Sequence, residues 1–215
     1  MLVLATRNPG KLKEFRELLA GLPLEASGLE PFGDIPEPEE TGETFADNAR
    51  DKARYYAAAT GQWCLADDSG LVVDALAGQP GVRSARYAID DVPPGSPRHT
   101  IDQANNRKLL RELADVPDHA RTARFVCHVA LAEPGQVRLE ADGTVEGRIL
   151  HAPRGHNGFG YDPLFYIDQK HRTTAELSPD EKHALSHRGQ AMRKLAEMLR
   201  TYFWSNDNKS PIISA

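Results

Sequence analysis

Cysteine is scarce: Cys64 and Cys127 are the only two in 215 residues, and neither belongs to a CxxC pair. A disulfide framework is therefore not expected, and a reducing, cytoplasmic setting is. The eight histidines never fall into HExxH spacing, so no zinc hydrolase of that kind is suggested. No apolar run approaches the length of a membrane span, and Arg7 and Asn8 interrupt the apolar start before a signal-peptide pattern develops. Excess positive charge is absent too. With 26 basic against 31 acidic side chains the net charge is −5, which provides no global field for a nucleic-acid backbone, so any phosphate-bearing partner must be held locally. Internal repeats are also absent, as are the glycine spacings of a Gly-Lys-Ser/Thr phosphate loop and of a dinucleotide fingerprint.

What is present is a hydrophobic content of 40%, enough for a sizeable core, and an alternation of strand and helix patterns that predicts a mixed α/β sheet. Met1 to Ala5 reads as a buried strand. Lys11 to Leu19 reads as a helix with Leu12, Phe15, Leu18 and Leu19 on one face, stopped by Gly21 and Pro23. Leu24 to Glu43 is a proline- and acid-rich surface connection with room for a short strand near its start. A helix is expected from Thr44 to about Ala59, followed by "WCLADDSGLVVDAL" as strand, acidic turn and second strand. "GQPGVRSARY" and Ile89 to Thr100 read as loops, Gln103 to Ala114 as a helix and "ARFVCHVALA" as a strand. Leu139 to Leu150 reads as strand material around a turn at Asp142 and Gly143. The glycine-rich "PRGHNGFGYDPLFYI" leads into a short aromatic strand. Ser178, Pro179 and Glu181 then supply an N-cap, a first-turn proline and an acidic N3 residue, and a helix follows from about Ser186 to Phe203.

Four stretches carry candidate chemistry, and each has a plain structural alternative. Thr6, Arg7, Asn8, Pro9, Gly10 and Lys11 form a compact polar turn at a helix start, where amide hydrogens and a lysine suit an anion; equally, Asn8 caps the helix and Lys11 is solvated. Asp67 and Asp68 are adjacent carboxylates after an apolar strand, a pairing that Mg²⁺ would offset, or they belong to an acidic turn. On a strand they would face opposite ways, one structural and the other chemical. Glu39 and Glu40 strengthen the metal reading if their connection folds back. Gly158 to Asp162 interleaves glycines, Phe159, Tyr161 and a carboxylate, which suits a slot for a flat base or a tightly packed turn. Lys182, His187 and Arg188 cluster after a helix start, where the lysine and arginine suit phosphate or purine carbonyl oxygens, or the cluster forms a solvated helix edge.

In order, "TRNPGK", "EETGETFADNARDKA", "ADDSGL", "GVRSARY", "GHNGFGYDPLF" and "ELSPDEKHALSHRGQA" resemble the inosine triphosphate pyrophosphatase family, the XTP/dITP diphosphatases, from Leu2 to about Leu199. The resemblance implies an elongated α/β mixed-sheet fold with two lobes around a central substrate cleft, within a single nucleotide pyrophosphatase domain at 1–204; the residues at 205–215, which show no helix period, read as a flexible tail. It implies a homodimer that hydrolyses ITP, dITP and XTP to the monophosphate and pyrophosphate with Mg²⁺. It places Thr6, Asn8 and Lys11, within the turn completed by Arg7, Pro9 and Gly10, on the triphosphate together with Lys52. It makes Glu40 and Asp68 the metal acids, with Asp68 also the proton acceptor for the attacking water, and Ser69 a substrate contact. Phe159, Gly160, Tyr161, Asp162, Lys182, His187 and Arg188 match nucleotide-binding positions, the first four and the last two mostly around the base. Arg7 departs from the glycine most often found there. A pyrophosphatase for another altered base, and a non-catalytic nucleotide- or RNA-binding module, are the alternatives; the acidic composition argues against the second.

Overall fold

A computed structural model describes residues 1–204; the tail expected at 205–215 lies outside the described residues. The buried strand β1 (Leu2–Leu4) runs parallel to β2 (Ala26–Ser27) and to β3 (Trp63–Val73). β4 (Thr122–Glu133) and β5 (Gln136–Ile149) follow, and β5, β6 (Phe165–Ile167) and β7 (Arg172–Thr173) pair antiparallel. The strand order is β2-β1-β3-β4-β5-β6-β7, so the sheet is mixed, as expected. Helices α1 (Pro9–Leu19), α2 (Phe45–Thr60), α3 (Arg98–Glu112), α4 (Pro179–Leu185) and α5 (His187–Trp204) complete the frame.

Packing divides the chain into two units, one of Met1–Asp68, Cys127–Gly143 and the residues from His187 onward, the other of Ser69–Val126 and Thr144–Ser186. Strand periodicity sorts the first unit's core into two sets. Leu2, Leu4, Trp63 and Leu65 pack with Phe15 and Leu19 of α1 and with Met192, Leu195 and Leu199 of α5. Val3, Ala5, Cys64 and Ala66 pack with Ala49, Ala53, Tyr56 and Ala57 of α2. The second unit closes around Leu71, Val73, Leu109, Leu113, Phe125, Phe165 and Leu177.

Three expectations are corrected. The acidic "turn" is the middle of one continuous strand, β3. Aspartates are poor strand formers, but both of these side chains are buried among cationic partners, which removes the need for a turn to solvate them. The expected turn at Asp142 and Gly143 is likewise inside a strand, β5. Gly143 is small because a Cβ there would stand 2.1 Å from the His187 carbonyl oxygen and 2.8 Å from the Ala191 nitrogen of α5. Finally, α3 begins at Arg98, within the stretch read as a loop, and a 3-10 turn occupies Ile89–Asp91. Pro97 tolerates the position before the helix, so the proline-rich composition there marked a helix start.

Candidate active site

At the opening stretch, Asn8 caps α1: its side-chain oxygen accepts the Gly10 and Lys11 amides at 2.9 and 3.3 Å, with Pro9 in the first turn. The Thr6 hydroxyl oxygen accepts the Asn8 amide at 3.2 Å and keeps its own proton to donate. Two amides expected to face an anion are thus satisfied by the cap, yet Lys11 is not a solvated decoration. Its ammonium lies 3.0 Å from Asp67 Oδ2 and its side chain is only 15% exposed. Arg7 turns to Asp34, at 3.2 Å, and to the Ile35 carbonyl. Its backbone is outside the left-handed region, so the turn closes without a glycine there.

β3 delivers the two carboxylates to opposite faces, the alternation that a strand demands. Asp67 continues the face of Trp63 and Leu65, where Lys11 and Arg188 meet it; Arg188 Nη2 is 3.2 Å away and Nη1 also pairs with Glu14. Arg188 is 2% exposed and Glu14 8%. Burial opposes the Asp67 charge, but Lys11, Arg188 and Lys52 outweigh it and hold the carboxyl far below the usual range. Burial likewise opposes the Arg188 cation, and Asp67 and Glu14 reverse the effect and raise it. Arg188, which the resemblance placed around the base, thus has its guanidinium on two carboxylates of its own unit.

Asp68 continues the face of Cys64 and Ala66, toward α2. Asn48 and Lys52, one helical turn apart on the buried stripe of α2, reach it: Asn48 Nδ2 donates at 2.9 Å and Lys52 Nζ stands 3.5 Å away. Lys52 also meets Glu40 Oε1 at 2.8 Å, so the acidic connection does fold back. Asp68 behaves oppositely to its neighbour. Burial pushes its carboxyl up, Lys52 and Lys11 pull it down, Glu40 raises it again, and the net shift is upward. For Lys52, burial disfavours the cation, but Asp68 and Glu40 prevail and raise it. Two adjacent carboxyls with divergent affinities for a proton are the pattern of a structural anion beside a chemical base.

Glu40 and Asp68 converging on one ammonium also present oxygen ligands suited to a hard cation. Among the described residues no group of three or more His, Cys, Asp or Glu stands ready to hold a metal. A divalent ion here would take two carboxylates and complete its shell from phosphate oxygens and water, which is the habit of Mg²⁺. Both cysteines are free and buried. Burial pushes Cys64 up to about 11 and raises Cys127, beside Asp67, as well, which leaves neither a thiolate nucleophile.

In the second unit, Ser69 follows on β3, half-buried. The capping box predicted at Ser178 and Glu181 is formed and starts α4, which carries the buried Lys182. Lys182 Nζ lies 2.7 Å from Asp162 Oδ2 and 5.0 Å above the Phe159 ring. The same Asp162 oxygen accepts the Phe159 amide at 2.8 Å, and Oδ1 accepts the Thr174 hydroxyl at 2.9 Å. Asp162 therefore organises its own loop. Tyr161 is buried at 4% and donates to the Ser84 carbonyl at 2.9 Å, a core role. The Gly160 amide goes to Asp102. The Phe159 ring of this loop is half-buried beside the Lys182 cation. Gly158 has φ +78°, and a Cβ on it would stand 2.0 Å from Asp162 Oδ2. Gly158→Ala is expected to destabilise by about 2 kcal/mol and lower the thermal midpoint by roughly 4–8 °C. An unchanged melting curve would contradict this packing.

Residues absent from the sequence-based set are Asn48 and Glu14, one holding Asp68 and the other Arg188. Asn48 had a legible signal, as a polar residue four positions before Lys52 on the alanine stripe. Glu14 had none, because its partner lies 174 positions away. A family model described as the Ham1 family matches residues 2–198. The chain is 52% identical over 198 residues to a dITP/XTP pyrophosphatase of Geobacter sulfurreducens, covering 92% of this chain and 96% of that one. It is 51% identical over 203 residues to a dITP/XTP pyrophosphatase of Nitratidesulfovibrio vulgaris, covering 94% and 97%. Among solved structures, a HAM1 protein from Coxiella burnetii superposes with TM-score 0.80 at 44% identity, over 92% of this chain and 97% of that one. The Staphylococcus aureus Ham1 protein gives 0.78 at 38%, over 94% and 98%.

Proposed function

The chain belongs to the Ham1 family, and from that premise we propose a hydrolase that converts ITP, dITP and XTP to the nucleoside monophosphate and pyrophosphate, removing deaminated purines from the nucleotide pool. The observation that carries the chemistry is Asp68: a buried carboxyl of raised proton affinity, held by Asn48 and Lys52 and flanked by Glu40. In this reading Asp68 takes a proton from the attacking water as its oxygen bonds to phosphorus, and pyrophosphate leaves. Glu40 and Asp68 would hold Mg²⁺, which would draw charge from the phosphate oxygens. Lys11 and Lys52 hold the polyphosphate, with Thr6 and Asn8 as neutral contacts. Asp67 is an anchor that keeps Lys11 in place rather than a reacting group, since its charge is already matched by Lys11 and Arg188.

Phe159 is assigned to the base, and Lys182 joins it because its ammonium stands over that ring; the resemblance keeps Ser69 on the substrate and puts His187 and Arg188 around the base. Deamination turns a purine's exocyclic amine into a carbonyl, which a cationic donor accepts as partner, whereas an adenine amine would face it donor to donor. Release of pyrophosphate in the presence of Mg²⁺ is therefore expected to favour ITP and XTP over ATP by at least about tenfold in kcat/KM. Equal efficiency on ITP and ATP would reject the base assignment, and no release from any would favour a binding module. A homodimer belongs to the same proposal, and sedimentation of the purified chain tests it. Among the described residues no helix is long and apolar enough to cross a membrane.

A further inference from the structure

We propose that Asp102 and Asn106 on α3 are positioning residues for base recognition, acting through the peptide groups of Gly160; the proposal rests on the reading of the Phe159 loop as the base-binding segment. The two side chains are four positions apart, so they stack on one face of the helix. Asp102 Oδ2 accepts the Gly160 amide at 3.1 Å, and Asn106 Nδ2 donates to the Gly160 carbonyl at 2.9 Å. One helical turn thus holds both polar groups of a single glycine with complementary chemistry. A carboxylate only accepts and an amide nitrogen only donates, so neither peptide group flanking Gly160 can reorient without losing its bond.

The arrangement is an unusual use of a helix face. Asp102 is 9% exposed, and Arg98 Nε at 2.9 Å balances its charge. Asn105, beside Asn106 on the same helix, accepts the Ala88 amide at 2.7 Å and donates to the Ser84 carbonyl at 3.2 Å. That same carbonyl receives the Tyr161 hydroxyl at 2.9 Å. α3 therefore holds the chain on the C-terminal side of Phe159 directly at Gly160 and, through Ser84, at Tyr161. On the N-terminal side the Phe159 amide is held by Asp162. The ring is carried between two fixed points, and a stacking surface is useful only if its plane is fixed before the base arrives.

The test separates the two ends of the nucleotide. Binding of IMP and of inorganic pyrophosphate, each with Mg²⁺, is measured by calorimetry for the wild type, Asn106→Leu, Asn106→Ala, Asp102→Ala and Asp102→Asn, with melting curves to show that each is folded. IMP affinity is expected to fall about tenfold in Asn106→Leu, Asn106→Ala and Asp102→Ala, while Asp102→Asn, which keeps an acceptor for the Gly160 amide, recovers most of it. Pyrophosphate affinity is expected to be unchanged in all four. A merely structural role would weaken both ligands together, and that result overturns the proposal, as does undiminished IMP binding or a loss confined to pyrophosphate. Wild-type protein that binds neither ligand overturns the functional reading itself and the clamp with it; intact wild-type binding that all the variants share overturns the clamp alone.

Discussion

Asp68→Asn is expected to lower turnover on ITP by about a thousandfold or more, within the span that a positioned base contributes, while the protein stays folded. The amide matches the carboxylate in shape and can still accept from Asn48, so packing against α2 is retained. It cannot take a proton from water at useful rates, and it removes one of the two charges facing Lys52. The check is pyrophosphate release over a magnesium titration together with a thermal melt. Turnover within a few-fold of wild type at saturating magnesium would remove Asp68 from the chemistry. The neighbouring substitution, Asp67→Asn, acts by another route: it strips a buried anion from Lys11 and Arg188, so its first effect is on stability.

Lys11→Met is expected to cost about a hundredfold in kcat/KM, the worth of a charge-assisted contact, and to cost it equally for ITP, XTP and the weak ATP reaction. Methionine keeps much of the stem's apolar contact and removes only the ammonium. Arg188 still pairs with Asp67, so the buried aspartate is not left without a cation. Because every nucleoside triphosphate shares the phosphates, a uniform loss identifies a phosphate contact. A defect confined to ITP would move Lys11 to base recognition. No defect with any substrate would return the turn from Thr6 to Lys11 to a capped crossover and nothing more. The effect on kcat alone depends on whether the contact tightens as charge develops on the leaving group.

Local signals carried the helices well. The capping box at Ser178 and Glu181 is a short-range hydrogen-bonding pattern and starts α4 as read, and the Asn8 cap, one of two readings of its turn, starts α1 at Pro9, two residues before the Lys11 expected. Local signals misled where distant partners override them. "ADDSG" has the composition of a turn, and Asp142-Gly143 has it too, yet both lie within strands. In the first case Lys11, Lys52 and Arg188 satisfy the carboxylates; in the second, the glycine admits the backbone of α5. Neither condition is visible within a window of neighbouring residues.

The sequence alone therefore determined the alternation of elements, the family resemblance and the opposed faces of Asp67 and Asp68 once a strand is granted, because a period of two is a property of the backbone. It could not say which charged partners each aspartate would meet. That depended on partners brought from positions 11, 14 and 188 to one face and from 40, 48 and 52 to the other. Nor could it show that the helix-start amides of Gly10 and Lys11, expected to suit an anion, already donate to the Asn8 side chain, or that the Phe159 and Gly160 amides donate to Asp162 and Asp102. Proton affinity and donor availability are set by burial and by nearby charge, and both come into being only when distant segments of the chain are packed together.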